Sequence, residues 1–161
     1  MAMKKTVILL ILFSNFIFAN INKEILLIES KLYPKIMELT ENLQNKKIIK
    51  VAIIAGSDKR SEAKTLKNFL NKKNFKIDII KKPDTKHDVY ILMQPLKKEE
   101  LEKLLSHKKI IFSSIPNYVD TAMFSIYIGP KVYPYINPYL IKKSGIKIDS
   151  IIFKVGKIYE K

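Results

Sequence analysis

IIKVAIIAG, Ile48 to Gly56, is an apolar run of strand length that ends in a small-residue turn, the pattern of a strand buried on both faces of a sheet. Directly after it, Arg60–Lys73 carries Ala63, Leu66, Phe69 and Leu70 in helical register, so the two segments read as a βα unit. FKIDIIKK (Phe75–Lys82) alternates as a strand, Pro83-Asp84 turns the chain, and DVYILM (Asp88–Met93) is a second buried run. Those two strands follow each other without a helix between them, and either flank or pair. Lys97–Ser106 is a helix with Leu101, Leu104 and Leu105 on its face, and KIIFSSI (Lys109–Ile115) returns as a strand.

On the N-terminal side, Ile25, Ile28, Leu32, Ile36, Leu39 and Leu43 recur at spacings of three and four, which predicts an amphipathic helix over Asn22–Gln44, kinked or split at Pro34. On the C-terminal side, FSIYIG and KVYPYIN flank Gly129-Pro130 as a β-hairpin. With a three-residue loop, Phe124, Ile126, Ile128, Val132, Pro134 and Ile136 share one face and Tyr127, Tyr133 and Tyr135 the other; a two-residue loop shifts that register. Asn137 before Pro138 is an N-cap followed by proline at the first helical position, and Gly145 closes the resulting helix, Pro138–Ser144. A last helix capped by Asp149 carries the stripe Ile151, Ile152, Val155, Ile158 and Tyr159. Gly156 inside it weakens that helix by about 1 kcal/mol. The order predicts one three-layer α/β domain with a mainly parallel sheet, a C-terminal β-hairpin and two terminal helices.

The chain has 161 residues, one domain's worth, and its 47% hydrophobic and 28% charged composition is that of a globular protein. Lys4 and Lys5 precede an apolar run from Thr6 to Phe18 and then Ala19, which reads as a secretory signal peptide over residues 1–19, with an uncleaved N-terminal anchor as the alternative. There is no cysteine, which excludes disulfides, thiolate metal sites, a cysteine nucleophile and a lipidated N-terminal cysteine. The expected product is periplasmic and not a lipoprotein. Formal net charge is +15, and without the two leader lysines 28 basic residues stand against 15 acidic ones, leaving +13. Arg60 is the only arginine and the lysines are spread along the chain, so the charge reads as a solvated surface, with weak contact to anionic lipid as a second reading and nucleic acid set aside.

The residues also carry a resemblance. KVYPYINPYLIKKSGIKIDSIIFKVGKIY is similar to the C-terminal block of the YfiR-like family of periplasmic regulatory proteins, with its strand ending in Ile136-Asn137, short helix closed by Gly145, and last helix over Ser150–Tyr159. VAIIAGSDKRSEAKTLKNFL, DVYILM and KKIIFSSIPNYVD resemble that family's first strand and helix, middle strand and the strand before the hairpin. The chain departs from the pattern at Thr121-Ala122, where paired glycines are usual, and in lacking a Trp-Pro ending to its first helix and any cysteine. The resemblance implies a non-catalytic periplasmic domain that binds the periplasmic region of a membrane-bound sensor, of diguanylate cyclase (cyclic-di-GMP signalling) or histidine kinase type, without disulfide-based redox control.

Several candidate sites follow. The tyrosines of the hairpin, Tyr127, Tyr133 and Tyr135, form a partner-binding face if they project together, for the sensor or for a second copy in a homodimer. In an open α/β sheet ligands bind beyond the carboxyl ends of the strands, where Ser57, Asp58, Arg60, Gln94, Ser113 and Ser114 rim a crevice suited to a small solute. Ser57 otherwise helps cap the helix that follows it. The AGSDKRS turn lacks the glycine pattern of either phosphate-binding loop. His87 and His107 are far apart and in no metal-ligand spacing, so no metal and no cofactor is expected. An exported hydrolase would have to rest on Ser57 or His87, outside any nucleophile motif.

Overall fold

The computed structural model describes residues 22–160; the predicted signal peptide lies outside them. The elements are a helix over residues 22–38 (α1), α2 (Glu41–Gln44), β1 (Ile49–Ile54), α3 (Arg60–Phe69), β2 (Phe75–Ile80), β3 (Val89–Leu92), α4 (Lys98–Ser106), β4 (Ile110–Ser113), β5 (Phe124–Ile128), β6 (Val132–Ile136), α5 (Pro138–Ser144), α6 (Ile151–Val155) and β7 (Lys157–Ile158). The sheet has seven strands in the order β2-β1-β3-β4-β5-β6-β7. β1 through β5 run parallel, β6 is antiparallel to β5, and β7 is parallel to β6. This is the expected α/β class with a mainly parallel sheet. β2 and β3 flank β1 rather than pair, which places the Ile49–Ile54 run between two strands and leaves Val51 to Ile54 fully buried. The crossovers β1-α3-β2 and β3-α4-β4 leave the centre in opposite directions, and right-handed connections then put α3 and α4 on opposite faces.

Alternation along the strands assigns Val51, Ile53, Ile91, Phe112, Phe124 and Ile136 to one face. Tyr33 of α1 stacks on Phe112 with ring centroids 4.4 Å apart, and Phe112 meets Phe124 at 5.4 Å, so α1 covers that face. The buried side of α1 is Leu26, Glu29, Ser30, Tyr33, Pro34, Ile36 and Met37, rotated from the predicted stripe: Ile28 is exposed, and Ile25, Leu32 and, just beyond the helix, Leu39 are only half-buried. Apolar residues at four successive positions, Ile25 to Ile28, surround the helix, so spacing alone does not single out the inner face. α1 also runs through Pro34 without a break. The chain leaves the helix at Leu39-Thr40, where Thr40 bridges to Ile148 and its hydroxyl donates to the Ile36 carbonyl at 2.9 Å.

The hairpin closes with three residues, Gly129 to Lys131, since Ile128 pairs with Val132 and Tyr127 with Tyr133. Asn137 caps α5, its Oδ1 accepting from the amides of Tyr139 and Leu140 at 3.1 and 3.2 Å, and Gly145 ends that helix at φ 68°, a left-handed backbone that favours glycine. Asp149 Oδ1 accepts from the Ile151 amide at 2.9 Å as α6 begins.

The last helix is shorter than its stripe predicts. It stops at Val155, Gly156 is extended, and Lys157–Ile158 forms β7 beside β6. A Cβ at Gly156 would lie 2.3 Å from Ile136 Cδ1, so the chain comes within van der Waals distance of β6 only because that residue has no side chain.

Candidate functional site

Two regions contain the residues singled out from sequence, and they lie at different ends of the sheet. The crevice beyond the carboxyl ends of β1, β3 and β4 brings part of its predicted set together. Asp58 and Gln94 lean over Gly56: a Cβ there would sit 2.7 Å from Asp58 Oδ1 and 3.1 Å from Gln94 Oε1. A carboxylate facing the start of the turn opposes an incoming anion. Ser57 is exposed and does not cap α3, whose N-cap position is Lys59 with no side-chain capping hydrogen bond, and Arg60 is exposed. Ser113 is fully buried, and its hydroxyl accepts from the Ile115 amide at 3.0 Å and donates to the Ile115 carbonyl at 3.3 Å, a turn-forming role. The enclosed space beside them, with Lys59, Glu62, Met93 and Ser114 in its wall, measures about 150 Å³. Ligand clefts are usually about 300–1,000 Å³.

Ser114 leads to a residue that the sequence reading passed over. Its hydroxyl donates to Glu29 Oε2 at 2.5 Å, and Glu29, on the inner side of α1, is fully buried with Oε1 unpartnered among the described residues. Desolvation raises the Glu29 carboxyl from 4.5 to about 8, against the lowering effect of the bonds around it, Ser114 first. The neighbouring Tyr33 hydroxyl gives its one proton to the Ser113 carbonyl at 2.6 Å, so Ser114 is the firm donor to Glu29; burial, then the Glu29 charge, push Tyr33 well above its ordinary value. A carboxyl in such a place is held protonated at neutral pH. Glu29 stands four residues before Tyr33, on the row of α1 that turns inward, a row that spacing alone does not single out.

His87 was expected in a strand-entry loop, and that is where it lies, but it is buried and organises the loop. Its Nδ1 is 2.8 Å from Asp84 Oδ1 and its Nε2 3.1 Å from Asp78 Oδ2. Asp84 Oδ1 also accepts from the Tyr90 hydroxyl at 2.9 Å and the Lys86 amide at 3.0 Å. Partial burial would raise the Asp84 carboxyl; the bonds from His87, Tyr90 and Lys86 outweigh it and bring it to about 2. These bonds staple the β2–β3 connection, and no nucleophile joins them. His107 ends α4 as expected, with Nδ1 donating to the Lys103 carbonyl at 2.8 Å.

The second region is the hairpin end. Tyr127 and Tyr135 meet edge to face at 5.6 Å, and Tyr159, just after β7, packs against Tyr135 at 6.0 Å. The Tyr159 hydroxyl donates to Asp120 at 2.7 Å, and Lys157 Nζ sits 3.9 Å above the Tyr127 ring. Such a cation–π contact contributes about 0.5–1 kcal/mol at an exposed site. Tyr133, paired across from Tyr127, is 39% exposed. The three predicted tyrosines therefore do share a face, and sequence missed that Lys157 and Tyr159 complete it. Both had been placed in a helix. Of the ten large apolar or aromatic side chains exposed among the described residues, seven lie between Ile128 and Ile158: Ile128, Val132, Tyr133, Tyr139, Ile151, Val155 and Ile158. A groove of about 530 Å³ runs along this end, between the hairpin tip and the end of α6.

A scan against protein-family models finds no match, and a search of the curated proteins finds none. Among solved structures, the chain is similar to the ABC domain in complex with L-Trp from Streptococcus pneumonia, at 12% sequence identity and a TM-score of 0.54. The match covers 78% of this chain and 58% of that one. At that identity the likeness is one of fold, and it agrees with the α/β architecture described above.

Proposed function

We propose that the protein is a non-catalytic regulator, exported to the periplasm, that binds the periplasmic region of a membrane-bound sensor through the hairpin end and shifts the sensor between signalling states. One observation carries this reading: exposed apolar and aromatic side chains gather at the hairpin edge of the sheet, where Tyr127, Tyr133 and Tyr135 project together from one face beside Val155, with Ile128, Val132 and Ile158 on the other face. Isolated exposed apolar residues are ordinary, whereas a cluster that includes several tyrosines is characteristic of contact surfaces. The similarity of the C-terminal block to YfiR-like proteins agrees with the same assignment, and regulation then follows from differential affinity for two states of the sensor.

Tyr133 is the clean probe, because Tyr135 packs against two other rings and its removal also costs stability. Tyr133→Glu is expected to weaken capture of the sensor's periplasmic region by about 30-fold or more, the scale of a central interface residue. Its melting temperature should match the parent's. Undiminished capture would remove the tyrosine face from the interface. A solute-binding role, for which the crevice and the fold of the L-Trp complex are the only support, predicts instead ligand-dependent melting that Tyr133→Glu leaves intact.

A further inference from the structure

The groove at the hairpin end has a chemistry more specific than its apolar content. Lys131, Lys154 and Lys157 stand in its wall with Tyr127, Tyr133 and Val155, and among the described residues no acidic side chain lines it. None of the three lysines makes an ion pair among the described residues, whereas Lys46, Lys59, Lys143 and Lys147 each do. The ammonium of Lys157 is already fixed over the Tyr127 ring, so a carboxylate arriving there meets a placed charge on an aromatic floor.

The backbone beside the groove is partly open. β7 pairs with β6 only at Tyr135 and Ile136. The Ile136 carbonyl accepts from the Tyr159 amide, just after β7, and the Asn137 amide donates to the Met123 carbonyl, just before β5, so even-numbered residues of β6 turn their backbone groups away from β5. By that alternation Val132 offers an N–H and a C=O at the edge, while Pro134 has no N–H to offer and ends the ladder after one residue. An extended segment could anchor there without adding a full strand.

We infer that the occupant of this groove is an acidic segment of the partner, in which Asp or Glu alternates with aromatic or aliphatic residues. The inference rests on the regulator reading above and specifies the chemistry of its contact. A second copy of the chain fits poorly, because a two-fold contact would set lysines against lysines. A bilayer surface is flat where the groove is concave, and Arg60, the sole arginine, begins α3 and lies outside the groove.

The test uses the full chain and a synthetic peptide of alternating glutamate and phenylalanine, with a lysine–phenylalanine peptide and phosphatidylglycerol vesicles as the other arms. The glutamate peptide should shift the ring resonances of Tyr127 and Tyr133, and that binding should weaken several-fold between 50 and 300 mM salt. Lys131→Glu with Lys154→Glu should lower its affinity about tenfold or more; Lys154→Glu alone, an exposed change at the end of α6, should give a smaller loss in the same direction. Equal binding of the two peptides, or response to vesicles only, overturns the inference. Capture of the sensor that survives the lysine changes but not Tyr133→Glu overturns the acidic chemistry and leaves the regulator reading standing. Capture that survives Tyr133→Glu overturns both.

Discussion

Glu29→Gln should flatten the dependence of stability on pH. In the parent the folded carboxyl keeps its proton to about pH 8, whereas in the unfolded chain it gives the proton up near 4.5. Between those values the folded state holds one proton more than the unfolded state. Stability therefore falls as pH rises through this window, by roughly 1.4 kcal/mol per unit and about 4–5 kcal/mol in total, and levels off above it. The amide keeps an acceptor for the Ser114 hydroxyl but cannot ionise, so that slope disappears. Near pH 5 the variant should be equal to the parent or about 1 kcal/mol weaker, since its second N–H has no partner where Glu29 Oε1 has none. Above pH 8 it should be the more stable by about 3 kcal/mol. Urea titrations at pH 5, 7 and 9 decide this, and parallel curves for the two proteins would show that Glu29 is not a buried, protonated acid. Because Glu29 and Tyr33 tie α1 to the end of β4, the protection of α1 amides relative to their intrinsic exchange rates should fall at high pH in the parent and not in the variant.

Gly156→Ala should cost about 1–3 kcal/mol, the range for forcing a methyl group into a packed position. The added carbon would collide with Ile136, which is fully buried, and would also come within 3.1 Å of the Ile152 carbonyl oxygen. Relief comes most simply by moving the chain after α6 away from β6. The bond from the Tyr159 amide to the Ile136 carbonyl, 2.7 Å in the native fold, is then the first to open. Thermal melts measure the loss, and amide exchange at Tyr159 locates it. Ile136→Val removes the nearest carbon of the clash, so the double variant should be more stable than the sum of the single changes predicts. Without β7, Lys157 and Tyr159 leave the tyrosine face, so sensor capture should weaken as well.

The parts of the fold that were legible in sequence are those fixed by short-range chemistry. Asn137 with Pro138 and the left-handed Gly145 bound a helix whatever surrounds it, and the uninterrupted apolar run Val51–Ile54 has no stable place except between two strands. The misread parts were decided by distant contacts. Ile151, Ile152, Val155, Ile158 and Tyr159 keep helical spacing, yet the approach of Gly156 to Ile136, twenty residues earlier, ends the helix and begins a strand. Pro34 does not break α1, and the exit at Thr40 is set by its bridge to Ile148, more than a hundred residues away. The candidate site divides in the same way. Alternation placed Tyr127, Tyr133 and Tyr135 together once the loop length was known, but the cation over Tyr127 comes from β7. Topology pointed to the crevice residues, but local hydrogen bonds absorb Ser113, and Ser114 is taken up by a buried acid on another element, Glu29.

The central claim, that the hairpin end is the surface through which the protein meets a membrane sensor, is most directly tested by a photo-crosslinking amino acid at position 133 in living cells. A control at position 76, exposed on β2 at the opposite edge of the sheet, defines the background. An adduct should form from position 133 and not from position 76, and mass spectrometry should find in it a membrane protein with a periplasmic sensing region. An adduct from position 76 alone, or a product from position 133 that contains only a second copy of this chain, would contradict the claim.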